Sequence, residues 1–400
     1  MKITTGIFAL ILVLNCAITV HADNLDEQLN AAYQKALATL ESKKVGDAEI
    51  LKWTELHWIT YRDAEADLQA WLAGKSAPDK AARKMSLAQS TQTRLTELQH
   101  IVKDGTSGDY NAEDPVTAHA YATLRQAIIA KRNPELTAAL ILDQRAWLYF
   151  SDLQVGDDGY FPLHQDQGQN ALGNSLPARR VQSRLVQLQA DASILGVDIS
   201  QPPSDADTAK ETGLDRDTEI SPDHILRIEQ TYSGDPYGPS WVVQSCVVSN
   251  KTEQRALLPE PEEEATTGNG RGKPTVLISE YAISPDKRWI FRTQKFYHGM
   301  CGAYLYERTS GLNYELATQE PFDILAWKSF KKITQVDVPD VTQGGVVKFA
   351  AWGSGSLRIS LNASKRLTFA DVNNWLVDFD LKTKMFSVPA DIQEHDHKAF

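Results

Sequence analysis

Few side chains in this sequence have the types and spacing to make or break bonds. His395 and His397 form a His-x-His pair flanked by Glu394 and Asp396, donor types that suit a divalent metal. A zinc site needs three or four ligands converging from separate elements. No second cluster accompanies this one, so the pair reads as a solvated tail. His57, His100, His119, His164, His224 and His298 are scattered singly. The chain has no Gly-x-Ser-x-Gly, no His-Glu-x-x-His and no phosphate-cradling loop after a strand; Gly268-Asn269-Gly270-Arg271-Gly272 follows an acidic stretch instead. Two carboxylates for sugar hydrolysis would be assembled in space and leave no local signature, which keeps a glycan hydrolase as the least favoured function. We therefore expect no catalytic residue, no metal and no cofactor.

The remaining candidates bind or cross-link. Arg62 and Asp63 lie beside an apolar stripe that carries Trp58 and Tyr61. A salt bridge or helix-to-helix hydrogen bond is the simpler role for them, and partner binding the more specific one. Asp157, Asp158, Tyr160 and Phe161 sit in a long polar segment from Gly156 to Pro177, where aromatics in a loop would meet a partner. Cys246 and Cys301 are the two cysteines left once a signal peptide is removed, and an exported chain meets an oxidising compartment, so a disulfide between them is expected.

The elements that must position these residues begin after an export signal at 1–22: Lys2, an apolar run from Ile7 to Leu14, and a small-residue cleavage site at Val20-His21-Ala22. No later apolar run approaches the ~20 residues of a membrane helix. Residues 23–104 read as three helices, with stripes Leu25, Leu29, Tyr33, Leu37, Leu40, then Leu51, Trp58, Tyr61, Leu68, Leu72, then Leu87, Thr91, Leu95, Leu98, Val102. Residues 115–197 repeat them. Tyr33 aligns with Tyr121, Trp58 with Trp147, Tyr61 with Phe150, Asp63 with Asp152, and Gln92, Arg94, Leu95, Leu98 and Gln99 with Gln182, Arg184, Leu185, Leu188 and Gln189, at an offset of 88 to 90 residues. Ser151 stands where the first copy has Arg62.

A polar linker is expected at 198–219, with Pro202-Pro203. From 220 to 392 the period becomes alternating. Strands are predicted at Ile225–Tyr232, Trp241–Val248, Val276–Ile283, Trp289–Lys295, Ala303–Glu307, Val346–Trp352, Leu357–Leu361 and Trp375–Leu381. Ile220-Ser221-Pro222-Asp223 and Ile283-Ser284-Pro285-Asp286 hint at two blade-like units. The spacing fits a propeller-like array or a sandwich, and 393–400 is a tail. The fold class is thus multidomain α + β: two tandem three-helix domains followed by an antiparallel β domain.

The net charge of −11 is shared by both halves: 24 acidic and 18 basic side chains in 23–200, 28 and 22 in 201–400. That excludes the basic footprint of nucleic-acid binding and favours a basic protein partner through long-range steering.

Leu29 to Leu40, the Trp-x-x-Tyr-Arg-Asp of Trp58 to Asp63, and Thr91 to Leu98 together resemble the LprI-type lysozyme inhibitor domain, with the second repeat a degenerate copy. The resemblance implies a small helical domain of exported bacterial proteins, some of which inhibit lysozymes. Such domains usually carry a cysteine soon after the Arg-Asp and another on the last helix. Here the first stretch is Ala64-Glu65-Ala66-Asp67, and both copies lack cysteine. The expectation is a periplasmic or secreted, non-enzymatic protein that binds another protein, a basic lysozyme in particular. The alternative is an envelope ligand-binding or scaffold protein with the β domain as its recognition module.

Overall fold

The structure, a computed structural model, describes residues 22–43, 45–74, 76–104, 115–151, 171–199, 215, 217–233, 242–259, 276–296, 301–335, 345–363 and 372–389. It divides into two compact units, Met1–Arg216 and Asp217–Phe400.

Six described helices build the first unit: α1 (Ala22–Lys43), α2 (Val45–Ala73), α3 (Lys80–Asp104), α4 (Pro115–Ala130), α5 (Pro134–Ser151) and α6 (Ala171–Leu195). The breaks have local causes. At Gly74 an added Cβ would lie 1.9 Å from the Ala77 carbonyl oxygen, so only glycine lets the chain turn there. Asp79 then caps α3, its Oδ1 accepting from the amides of Ala81 (2.8 Å) and Ala82 (3.0 Å). Asn133 caps α5 through Leu136 N (3.2 Å), with Pro134 at the first helical position, where a missing N–H costs nothing.

Most described residues of the apolar stripes are buried or partly buried, but their partners cross between repeats. One core joins Leu25, Leu29 and Leu40 of α1, Leu51 and Trp58 of α2, and Leu95 and Leu98 of α3 to Phe150 of α5. A second joins Tyr121, Leu124 and Ile128 of α4, Leu140 of α5 and Leu188 of α6 to Leu68 and Leu72 of α2. Helices α2 and α5 run antiparallel: Tyr61 stacks on Phe150 (5.5 Å) at one end of the crossing, and further along α2 Leu68 and Leu72 share a core with the earlier Leu140 and Leu136 of α5. Each middle helix therefore feeds its C-terminal part into the other repeat's core. Burying Leu68 and Leu72 there contributes about 3–6 kcal/mol together.

One segment boundary is corrected. The loop expected to run to Pro177 ends earlier, because α6 starts at Ala171. Of the segment 198–219 expected as a linker, a few residues are described. Asp215 is buried and accepts hydrogen bonds from Tyr121 (2.7 Å) and Arg125 (2.6 and 3.1 Å), and the first strand already begins at Glu219.

The second unit holds three four-stranded antiparallel meanders: β1 (Glu219–Ile220), β2 (Leu226–Ser233), β3 (Val242–Ser249) and β4 (Arg255–Leu257); β5 (Val276–Ile283), β6 (Trp289–Phe296), β7 (Cys301–Ser310) and β8 (Asn313–Leu316); β9 (Gly345–Trp352), β10 (Ser356–Ala363), β11 (Val372–Asp380) and β12 (Met385–Ser387). The eight long strands fall where alternation predicted them. The four short ones, of two to four residues, were missed.

The Ser-Pro-Asp turns enter the first two sheets in one conformation. Ser221 Oγ accepts from Leu226 N (2.9 Å) and donates to Asp223 (2.8 Å); Ser284 Oγ accepts from Trp289 N (2.9 Å) and donates to Asp286 (2.6 Å). His224 and Lys287 take matching left-handed φ values of 59° and 58°. Each of the two units inferred from this turn is thus one four-stranded meander, and the third sheet, which lacks the turn, adds another.

A seventh described helix, α7 (Phe322–Thr334), was not expected between the second and third sheets. Its Phe322, Ala326, Trp327 and Phe330 enter the largest core with Phe291, Leu305, Leu357, Ile359, Trp375 and Phe379. Phe330 meets Trp375 edge-on at 4.7 Å.

Of the two cysteines expected to pair, Cys246 is a half-buried thiol on β3 of the first sheet, free in this structure, and Cys301 opens β7 of the second. The side chain of Cys301 lies outside the described residues.

Candidate partner-binding surface

The helical repeats are organised by two buried tryptophan–arginine clamps. Trp58 and Trp147 are 3% and 5% exposed. Arg94, fully buried, donates from Nε (3.0 Å) and Nη2 (2.7 Å) to Glu55 Oε2 and from Nη1 to Glu97 Oε2 (2.6 Å). Its guanidinium lies 6.0 Å from the Trp58 ring and 5.6 Å from that of Phe150. One repeat later Arg184, also fully buried, lies 5.5 Å from the Trp147 ring. It donates to Gln144 (2.8 Å) and Gln187 (3.0 Å), which align with Glu55 and Glu97. Matching surroundings for the two tryptophans support the duplication read from the sequence. The repeated arginine had been aligned without a role. The available signal was its place on an apolar stripe, beside Leu95 and Leu98 in one copy and Leu185 and Leu188 in the other.

Burial alone would lower the basicity of Arg94, but Glu97 and Glu55 outweigh it and hold the group firmly charged. Glu55 and Arg94 thereby tie α2 to α3 without a covalent bridge.

Arg62 and Asp63 face outward from the same helix. Arg62 Nε donates to Asp63 Oδ1 (2.9 Å), and the guanidinium lies 5.2 Å from the Trp58 ring. Their side chains are 22% and 46% exposed, so the pair is a local ion pair on a reachable surface. Leu56, Ile59, Thr60, Asp63 and Asp67 recur at three- and four-residue spacing and form a strip along α2. Leu56 is 67% and Ile59 41% exposed. Arg83 pairs with Asp67 at the strip's far end (2.6 Å). His57, half-buried against Tyr149, is pushed toward its neutral form by desolvation. Between α1 and α3 lies a shallow groove of about 370 Å³, lined by Gln28, Ala32, Lys35, Leu95 and Gln99 among others. The strip can offer apolar contact rimmed by carboxylates, and the groove an apolar floor edged by Gln28, Lys35 and Gln99; nothing in them resembles a nucleophile with its base.

The other proposed contacts, Asp157, Asp158, Tyr160 and Phe161, lie outside the described residues, as does the His395/His397 pair. Among the described residues no group of three or more His, Cys, Asp or Glu is placed to hold a metal ion, and no helix is long and apolar enough to cross a membrane.

Residues 13–98 match the family model described as Lysozyme inhibitor LprI. The LprI match takes in α1, α2 and most of α3, and so contains Glu55, Trp58, Arg94 and Glu97 of the first clamp, the α2 strip and all of the groove's lining but Gln99. The second repeat and the three sheets lie beyond it. No curated protein and no solved structure matches the chain.

Proposed function

We propose that this is an exported protein that binds another protein through its first helical repeat, and that the partner is a basic lysozyme whose activity it blocks without covalent chemistry. The observation that carries this reading is the LprI match over residues 13–98. The exposed Leu56–Ile59 strip supplies the apolar part of such a contact, and a cationic surface would take Asp63 and Asp67 from their present partners Arg62 and Arg83. The net charge of −11 speeds encounter with such a partner. A few anchor side chains supply most of the energy in interfaces of this kind, and Leu56 and Ile59 are the apolar candidates.

The test is a cell-wall lysis assay of an animal-type lysozyme with the mature protein added, paired with calorimetry. Inhibition with measurable binding is expected, and the L56D/I59D variant should bind at least ~10-fold more weakly, the loss expected for an interface anchor. Binding without inhibition would move the function to an envelope scaffold. No binding at all would remove lysozyme as the partner. Turnover of cell-wall fragments by the protein itself would replace both with a glycan hydrolase.

A further inference from the structure

Where α2 crosses α5 and α6, three carboxyl groups are buried together: Glu65 on α2, Asp143 on α5 and Asp191 on α6, at 6%, 0% and 1% exposure. The cation that reaches them, among the described residues, is Arg184 of α6. Its Nη2 is 2.7 Å from Asp143 Oδ2 and its Nη1 4.0 Å from Glu65 Oε2. Gln69 donates to Asp191 Oδ1 (2.7 Å) and Glu65 Oε1 (2.9 Å), and the Tyr61 hydroxyl donates to Gln187 (2.9 Å). On α4, Tyr121 and Arg125 are engaged by Asp215.

These contacts leave more acceptors than donors unmatched. Glu65 Oε2, both Asp143 oxygens and Asp191 Oδ2 are buried without a hydrogen bond, against two unmatched donor atoms on α6, Arg184 Nε and Gln187 Nε2. Arg184 meets Asp143 as an ion pair that leaves both Asp143 oxygens without a hydrogen bond. An ionised carboxylate only accepts, whereas a protonated one donates. Three carboxylates against one guanidinium would also bury two net negative charges, at several kcal/mol per ion. A proton on one carboxyl removes a charge and supplies a missing donor together.

We propose that the seam between the helical repeats is a proton-dependent joint: when closed, Glu65, Asp143 and Asp191 retain at least one shared proton, and losing it loosens α2 from α5 and α6. Burial, then the charges of Asp143 and Asp191, push Glu65 well above the usual carboxylate range, and a proton held between Glu65 and Asp143 would supply the hydrogen bond their oxygens lack. Burial pushes Asp191 up to about 6, with the Asp143 charge adding to it against the hydrogen bond from Gln69. A carboxyl that holds its proton more tightly when folded than when unfolded stabilises the fold in acid. That stabilisation is complete below the unfolded carboxyl range and is lost as pH rises through about 6 for Asp191 and through the raised folded range of Glu65.

Hydrogen–deuterium exchange on the full chain at pH 5 and pH 8, corrected for intrinsic exchange rates, reads the joint directly. Peptides from α2 around Glu65 and from α5 around Asp143 should open at least ~10-fold more readily at pH 8, the share due to Asp191 alone, while peptides from β6 stay unchanged. In the E65Q/D191N variant the opening should be independent of pH and as rare at pH 8 as in the parent at pH 5. Equal opening of the parent at both pH values overturns the proposal, and so does a parental slope in the variant. Infrared spectroscopy needs no variant: a carbonyl-stretch band from a buried protonated carboxyl should persist at pH 6, and its absence also overturns the joint.

Discussion

The two tryptophan–arginine clamps share a frame and differ in charge. Arg94 is met by two carboxylates, Glu55 and Glu97, whose side chains keep 14% and 16% of their surface in water. Arg184 has glutamines at the aligned positions and its carboxylates elsewhere, on Asp143 and Glu65, both sealed from solvent. The first clamp is hydrogen-bonded throughout; the second leaves several oxygens without donors. Duplication preserved the apolar packing and the cation, and changed how the cation is balanced. A buried ion group with its donors matched costs little, and one without them must find protons.

The largest expected effect that would sharpen this contrast comes from Arg184→Met. It strands three buried carboxyls, and urea unfolding of the helical unit, followed by far-ultraviolet circular dichroism at pH 7, should show a loss of about 3–5 kcal/mol. Arg94→Met should cost less, about 2 kcal/mol, because Glu55 and Glu97 can be hydrated once freed. Equal losses for the two variants would break the contrast. Asp215→Asn, which weakens the acceptor for Arg125 and Tyr121, should cost about 1–2 kcal/mol in the same titration. The smallest effect belongs to Arg62→Ala: a surface pair contributes within ~0.5 kcal/mol, so its stability should be unchanged while calorimetry against lysozyme reports any contact it makes.

The second unit offers a contrast in pH response. Burial would raise Asp223, but hydrogen bonds from Lys287 and Ser221 prevail and hold it below the usual carboxylate range. Glu307 is likewise lowered, since Arg288 and Lys384 overcome its burial. Depressed carboxyls stabilise above the unfolded carboxyl range and lose that contribution as pH falls through their folded values. Acid should therefore weaken the sheets and strengthen the helical seam. Differential scanning calorimetry at pH 4 and pH 8 should move the two transitions in opposite directions; parallel shifts would count against the assignment.

Much of this architecture was readable in the sequence. Period alone gave the helices of both repeats and the eight long strands, and the Ser-Pro-Asp pairs marked two sheet entries. Periodicity identifies which face is buried and not what covers it, so the exchange of α2 and α5 between cores was invisible. Strands such as β1 and β4 are too short to alternate. The α7 stripe of Phe322, Ala326, Trp327 and Phe330 was present but lay inside a region whose period had already been read as two. The clamps were half visible: the repeated arginines aligned, while Glu55 and Asp143 come from a different helix. The disulfide expectation rested on compartment and carried no geometry.

The exchange of middle helices has a consequence for how the chain is made. Polypeptides leave the ribosome amino end first, so Leu68, Trp71 and Leu72 emerge well before the helices that will shelter them. Until α4, α5 and α6 follow, the stretch resembling an inhibitor is an unfinished body with a greasy end, and a holding chaperone would find its natural grip there.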